Sequence, residues 1–500
     1  MTQRLWTFVR RESCATLCGA VIVIVFPKAI DAASDLACVD VGDARLTVRL
    51  TKIAETMAAR PKASLPDAFD EAGLEGVYRF MSNPAVGFDR IVEAQTKQTA
   101  SRCGKVPICL VVHDTTELAF ELREDCYRTH LSRISSSRQG FFLHASIALS
   151  GDGSLQPLGL VAGLPYVHAK GVAHDAESKR YWEKRGGLFE NEGDRWLDSV
   201  TVSETVLAET GSRVVHVADR EGDSFGLFGA LVQQRKEFVI RLAQDRKVEG
   251  DGVDVISDAV STTPFLEGTR EIEISKRTPS KQLSARKAHP ARRGRKVLMS
   301  FRRAHVTIPR PSKRANSEHL PSKINLTVVE AVERNPPPGE EKVRWLLLTS
   351  EPCDDLDDVL RVVDWYRARW VIEEYFKAIK TGCSYELRQF AGAHPLLNML
   401  GVTLALAMQA LELRSRARVE PDAPATQVLS RGQIALLVAL VPKHKLKPDA
   451  TAHQALMAIA TLGGHLKRNG PPGWLVLYRG YTRLRDAETV WHAMQAAEKM

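Results

Sequence analysis

The sequence predicts an α/β protein, a mixed-sheet core with a strand-rich insertion, flanked by helical N- and C-terminal domains. Three observations carry that prediction. Apolar strand runs at 106–113 and 213–218 lead directly into aspartates. Residues 42–100 and the last hundred residues place apolar side chains at helical spacing. Between them, 246–345 alternates in places and has no strong helical period. Five hundred residues are enough for several domains and a sizeable core. Hydrophobic residues are 44% and charged residues 26%, an ordinary globular balance that excludes a mostly disordered chain, a collagen and a multi-pass membrane protein.

Residues 1–37 form an atypical N-terminal segment. Arg4, Arg10 and Arg11 precede an apolar run at 15–26, and Ala32-Ala33-Ser34 follows, a layout that resembles a secretory signal peptide. The run is too short to span a bilayer. A misassigned start or a diverged terminus is the preferred reading.

Residues 38–100 read as a helical DNA-binding domain. Leu46, Leu50, Ile53 and Met57 recur at three and four residues, with Arg45, Arg49 and Lys52 between them. Arg45 and Arg49 lie one turn apart, which suits tracking phosphates, and equally describes an exposed amphipathic helix. A second helix starts at the Ser64 cap with Pro66 in its first turn. Leu74, Val77, Tyr78 and Met81 continue an apolar stripe, which Pro84 closes.

Residues 101–245 read as the first part of a catalytic core. A strand ends at Asp114, and two more at 141–149 and 155–162 flank the turn Gly151-Asp152-Gly153. Residues 176–210 are mostly helical. A further strand ends at Asp219, followed by a helix to about Gln234 and the strand 237–242.

Residues 246–345 are a basic, strand-rich insertion. From Arg270 to Arg314 there are fifteen Lys or Arg against Glu271 and Glu273, which leaves the remaining chain slightly acidic although the whole carries +9. The segment reads as a phosphate-tracking surface or as a solvated loop. Residues 346–395 return to the core, with a long helix over 356–381, and 396–500 are helical again with a break at 470–473. The eight cysteines do not form a disulfide framework, and neither Cys14 with Cys18 nor Cys103 with Cys109 is completed as a zinc site.

The candidate chemistry is acidic. Asp114 and Asp219 each stand just past a buried strand, where functional groups gather in open sheets. With Glu373 on the late helix they could hold two divalent cations, which serve in-line phosphoryl displacement. Mg2+ suits a few carboxylates plus substrate phosphates. Taken singly, each Asp could be a turn or cap residue. On a continuous helix at ~100° per residue, Tyr366, Arg369, Glu373, Lys377 and Lys380 fall within an arc of about 80°. A Glu among cations and a Tyr suits a metal beside phosphates, and an ion-paired solvated face is the plainer alternative.

At this point the chain resembles a known family. Tyr366-(x2)-Arg369-(x3)-Glu373-(x6)-Lys380 is similar to the YREK signature of the insertion-sequence-4 family of bacterial DDE transposases. His113-Asp114-Thr115-Thr116 resembles its first acidic motif and Asp219-Arg220-Glu221 its second, and the likeness covers roughly residues 38–490. The resemblance implies an RNase H-like core in which Asp114, Asp219 and Glu373 are the catalytic and metal-binding triad. The implied cofactor is Mg2+ as two ions, with Mn2+ as a substitute. Tyr366, Arg369, Lys377 and Lys380 would grip transposon-end phosphates, Arg241 would contact DNA, and Trp345 would stack against a flipped base. Trp345 is otherwise an ordinary core residue. The implied partners are double-stranded DNA, as transposon ends and target, and a second copy in a homodimer on paired ends through residues 396–500. No membrane partner is implied, and the location is cytoplasmic and nucleoid-associated. The implied reaction is cut-and-paste transposition: end nicking, hairpin formation and opening, then strand transfer. Residues 1–37 depart from the helix such proteins usually carry ahead of Gly42-Asp43. Two rivals stand beside this reading, a stand-alone nuclease or resolvase and a DNA-binding relic without catalysis.

Overall fold

The computed structural model describes residues 30–122, 128–173, 175–189, 193–250, 252–274, 292–312, 318–427, 429–466 and 472–497. Cys14, Cys18, Cys126, the apolar run 15–26 and the basic stretches 275–291 and 313–317 lie outside the described residues. The chain divides into two compact units. One runs up to Arg213 and resumes at Trp370, and the other is Val214–Arg369.

The first unit opens with α1, Ala32–Leu36, capped by Asp31, whose side chain accepts from the Ser34 amide at 3.1 Å. Ala32 and Leu36 are fully buried, and Asp35 forms a buried ion pair with Arg102 at 2.9 Å. The Ala-Ala-Ser stretch is therefore part of the folded unit. Asp43 caps α2, Ala44–Ala59, which buries Leu50, Ile53 and Met57 as the spacing predicts. The predicted second helix is two helices. Ser64 starts α3, Leu65–Ala68, but Phe69 is extended, and Asp70 caps a new helix, α4, Glu71–Ser82. A fresh cap costs little here, because the Asp70 carboxylate satisfies the otherwise orphaned Gly73 amide at 2.8 Å. Next comes α5, Phe88–Cys103.

Strand β1, Ile108–Glu121, corrects an expectation. It does not stop before Asp114 but continues seven residues past it. Thr115 and Thr116 are β-branched and favour extended backbone. The strand β3, Arg138–Ser150, pairs with β1 without interruption from Cys109↔Ser150 to Glu121↔Arg138. The short β2, Ser132–Arg133, lies beside β3. Then follow β4, Pro157–His168, α6, Ala176–Lys184, β5, Leu188–Phe189, and α7, Gly193–Leu207. The order in this unit is β5-β4-β3-β1, with β4–β5 parallel and the others antiparallel. Helix α5 packs on β4, and α7 packs on β3 and β4.

The chain enters the second unit through β6, Arg213–Ala218, and continues as α8, Phe225–Gln233, and β7, Glu237–Arg241. The insertion is strand-rich, as predicted. It contains α9, Ile256–Ser261, β8, Arg270–Ile274, β9, Arg295–Pro309, and β10, Lys323–Glu333. The unit closes with β11, Arg344–Thr349, and α10, Leu356–Ala368. The order is β6-β7-β11-β10-β9-β8, with β6–β7 parallel and the rest antiparallel. Many described basic residues of the insertion are engaged internally. Arg270 meets Asp364 at 2.7 Å, Arg295 meets Glu333 and Glu340, Lys296 meets Glu271, and Arg302 meets the buried Glu330.

The first unit then resumes with α11, Trp370–Lys377. The single helix expected over 356–381 is thus broken. Helix α10 ends at Ala368 with Arg369 as its cap, and after α11 the backbone widens into a π turn, Ala378–Gly382, where the Cys383 amide donates to the Ala378 carbonyl at 2.8 Å. Four helices complete the unit: α12, Ala393–Val419, α13, Arg431–Leu440, α14, Ala452–Leu462, and α15, Trp474–Ala497. Ala393–Arg418 is long and apolar enough to cross a membrane by length and composition, but 88% of its most apolar stretch is buried within the protein, against α5 and β4 among others. It serves as a core helix.

Candidate active site

Asp114 sits on β1 opposite Ala145 of β3 and is half-buried. Its carboxylate accepts from the Thr115 amide at 2.8 Å. Because side chains alternate along a strand, His113 and Thr115 face the opposite side from Asp114. There they meet a buried polar layer. His113 Nδ1 pairs with Ser146 Oγ at 2.8 Å and Ser199 Oγ at 3.3 Å, and Thr115 Oγ1 pairs with His144 Nδ1 at 2.8 Å. Burial, with the Arg195 charge second, pushes the His144 imidazole down to about 3, so it is neutral at ordinary pH. The layer pins both neighbours of Asp114 and so fixes where its carboxylate leaves the strand.

Glu373 lies on α11, which packs against β1 within the same unit. The structure therefore brings the elements bearing Asp114 and Glu373 together. Glu373 is half-buried and its neighbour Glu374 is buried. Lys377 is exposed, with Nζ 2.9 Å from Glu374 and 4.6 Å from the centroid of the exposed Trp370 ring. Lys380 is half-buried in the π turn. Burial lowers its ammonium, while Glu386 and Glu117 oppose that effect and Arg138 adds to it.

The second unit holds the other candidates. Asp219 stands just past β6, as predicted, and accepts from the Glu221 amide at 2.8 Å. Arg241, Tyr366 and Trp345 converge. Arg241 Nη1 donates to the Tyr366 hydroxyl at 3.2 Å, and the guanidinium carbon is 5.8 Å from the Tyr366 ring centroid. Trp345 meets Tyr366 edge to face, with centroids 5.7 Å apart. Trp345 is half-buried whereas Leu347, on the same strand face, is fully buried. Arg369 caps α10, its amide donating to the Tyr366 carbonyl at 3.1 Å. Arg369 keeps right-handed helical dihedrals between α10 and α11, whereas the π turn departs from uniform α-helical spacing before Lys380. Tyr366 and Arg369 belong to the second unit, and Glu373, Lys377 and Lys380 to the first.

Arg45 and Arg49 occupy the exposed face of α2. Arg45 forms an ion pair with its cap, Asp43, at 2.9 Å, which raises the guanidinium and lowers the carboxylate.

Sequence reasoning missed three carboxylates. Asp223, with a side chain only 1% exposed, accepts from the Ala243 and Gln244 amides at 2.7 and 2.8 Å and pairs with Arg246, which fixes the chain leaving Arg241. Glu330 is clasped by Arg302 and Arg344 beside Trp345. Glu374 binds partners on α12 and α15. Apart from Lys377, three residues from Glu374, their partners lie 14 to 100 residues away, where no local pattern announces them.

Among the described residues, no three His, Cys, Asp or Glu side chains are grouped as a metal-holding cluster. The donors that Asp114, Asp219 and Glu373 offer are all carboxylate oxygens. Such hard donors fit Mg2+ or Mn2+ and not a thiolate-seeking ion.

Residues 32–86 match the family described as transposase DNA-binding, and residues 198–407 match the transposase DDE domain. The first stretch contains Arg45 and Arg49. The second contains Asp219, Arg241, Trp345, Tyr366, Arg369, Glu373, Lys377 and Lys380, and Asp114 lies ahead of it. The mixed α/β architecture with helical ends is the RNase H-like arrangement of that domain.

Proposed function

We propose that this chain, which carries a transposase DNA-binding domain and a transposase DDE domain, is a cut-and-paste DNA transposase of the insertion-sequence-4 type. The observation that carries the reading is the DDE match over 198–407, which encloses Asp219 and Glu373, with Asp114 on the strand that the Glu373 helix packs against. Asp114, Asp219 and Glu373 would hold two Mg2+ ions, or Mn2+ in their place. When bound, the ions supply activation of the attacking oxygen and charge neutralisation at the leaving one.

The chain's own residues position DNA. Tyr366, Arg369, Lys377, Lys380 and Arg241 bind end phosphates, and Trp345 receives a base that leaves the stack when the end bends into a hairpin. The Arg241–Tyr366–Trp345 cluster supports that role, since an aromatic surface flanked by a guanidinium suits a splayed nucleotide. Arg45 and Arg49 track the element end. The protein works as a homodimer on paired ends through its C-terminal helices, in the cytoplasm and close to the nucleoid. The basic insertion and the 38–100, 101–245, 346–395 and 396–500 segments keep the domain roles assigned above.

The test is an end-cleavage assay with Mg2+ on the DNA that flanks the gene, searched for short inverted repeats. Nicked, hairpin and strand-transfer products are the expected outcome. Cleavage without strand transfer would identify a nuclease, and end binding without cleavage a relic.

A further inference from the structure

We infer that Glu374 is a positioning residue that ties α12 and the C-terminal helix α15 to the helix carrying Glu373, and so aims the Glu373 carboxylate. The inference rests on the reading of Glu373 as a metal-binding acid.

Helix α11 has eight residues, with the α10 cap on one side and a π turn on the other. Only Arg369, in right-handed helical conformation, separates α11 from α10, whereas the π turn changes the ladder on the other side, so side-chain contacts share in setting the rotation of α11 about its own axis. Two residues make polar ones: the Tyr375 hydroxyl donates to the Leu404 carbonyl of α12 at 3.0 Å, and Glu374 makes the charged contacts. One carboxylate oxygen accepts from Lys377 Nζ at 2.9 Å. The other accepts from Trp474 Nε1 at 2.9 Å and from Arg414 Nη1. The Arg414 guanidinium also lies over the Trp474 ring, 4.5 Å from its centroid. Trp474 is the first residue of α15 and Arg414 lies on α12, so three elements converge on one buried carboxylate.

A carboxylate out of water is tolerated only when paired and hydrogen-bonded, so these donors leave Glu374 a single favourable placement. Adjacent helical residues point about 100° apart, so fixing Glu374 fixes the direction of Glu373. A misplacement of about 1 Å at a reacting group can cost about a hundredfold in rate, so an anchor beside an acid has leverage over the chemistry. The same carboxylate holds Lys377, so one residue orients a metal-binding acid and a phosphate-binding cation. It also makes the setting of that acid depend on the docking of α15.

The test compares wild-type protein with Glu374→Gln and Trp474→Phe, each assembled on element ends. Glu374→Gln removes the charge, whereas Trp474→Phe keeps the charge and an aromatic ring under Arg414 but removes the indole N–H together with the five-membered ring. Four quantities are read: Mn2+ binding from loss of the free-ion EPR signal, end-binding affinity, thermal midpoint and cleavage rate. The expected result for Glu374→Gln is Mn2+ binding weakened about fivefold and cleavage slowed about tenfold, with end binding within about twofold of wild type. Trp474→Phe should move both in the same direction by about two- to threefold. A purely structural role would lower the thermal midpoint and leave the Mn2+ affinity of the folded complex unchanged, and that result would overturn the inference. Glu374→Gln strands the buried Arg414 charge, so if it fails to fold, Trp474→Phe decides by the same readouts. Glu373→Gln separates the two readings. If it still binds Mn2+ and cleaves, the metal-binding role of Glu373 fails, and the inference with it. If it is inactive while both other variants match wild type, only the role of Glu374 fails.

Discussion

The two units surround their candidate residues in opposite ways. In the first, the strand that carries Asp114 turns its other face to a buried layer of His113, His144, Ser146 and Ser199, and Glu373 rides on a helix packed against the same strand. In the second, Arg241, Tyr366 and Trp345 form an aromatic and cationic cluster, while Arg302 and Arg295 of the insertion spend their charge on buried Glu330 and Glu333. The first environment suits acids that hold cations. The second carries the remaining candidate acid, Asp219, and a cluster that suits holding a nucleotide. The difference also teaches that a count of basic residues overstates a DNA-facing surface. The Lys and Arg of a strand-rich segment can be structural, whereas the two arginines of α2 stand on an exposed helix face.

If the division of labour holds, changing the acids should stop every step of the reaction, and changing the cluster should stop only one. Asp114→Asn and Glu373→Gln should each cut end nicking by at least about a thousandfold with end binding retained, as for groups acting as a unit. The comparison breaks if either variant nicks normally and fails only at the hairpin.

The buried layer gives the first unit a pH signature. His144 has a folded value of about 3 against 6.5 for the free side chain. Above pH 6.5 both states are neutral and its contribution to stability is constant. As pH falls below 6.5 the unfolded chain binds a proton that the folded chain refuses, so stability is lost down to about pH 3. Wild type should lose about 2 kcal/mol from this group between pH 7.5 and 5. Urea midpoints of wild type and His144→Asn at the two pH values measure the difference. An equal loss in both proteins would show that His144 is not held neutral.

The cluster makes a narrower claim. Trp345→Ala should leave nicking near normal and lower hairpin yield about tenfold, equivalent to ~1.4 kcal/mol, within the range of one base–aromatic stack. Step-resolved assays on a labelled end distinguish this from a folding defect, which would depress both steps equally. The smallest effect belongs to α2. Replacing Arg45 and Arg49 with Ala should reduce the salt dependence of end binding by about two phosphate contacts, read as a shallower log–log slope. An unchanged slope would make α2 an exposed amphipathic helix and no more.

Much of this was legible in the sequence. Asp219 stands at a strand end because the run 213–218 is apolar and stops at a turn. The insertion was legible as strands from its alternation. The course of β1 beyond Asp114 was not, because an aspartate reads as a strand terminator when its pairing with β3 is invisible. The break at Arg369 had no warning, since neither glycine nor proline marks it. The anchors at Glu374, Glu330 and Asp223 depend on partners brought close only by folding.

As proposed, Asp114, Asp219 and Glu373 would together hold the divalent metal. Iron-generated hydroxyl-radical cleavage of the protein tests it most directly, with Fe2+ in place of Mg2+ on the end-bound complex. The account predicts backbone cuts near all three residues, competed away by Mg2+ and lost together in Asp219→Ala. Cuts that spare any one of the three segments, or that persist in Asp219→Ala, would contradict it.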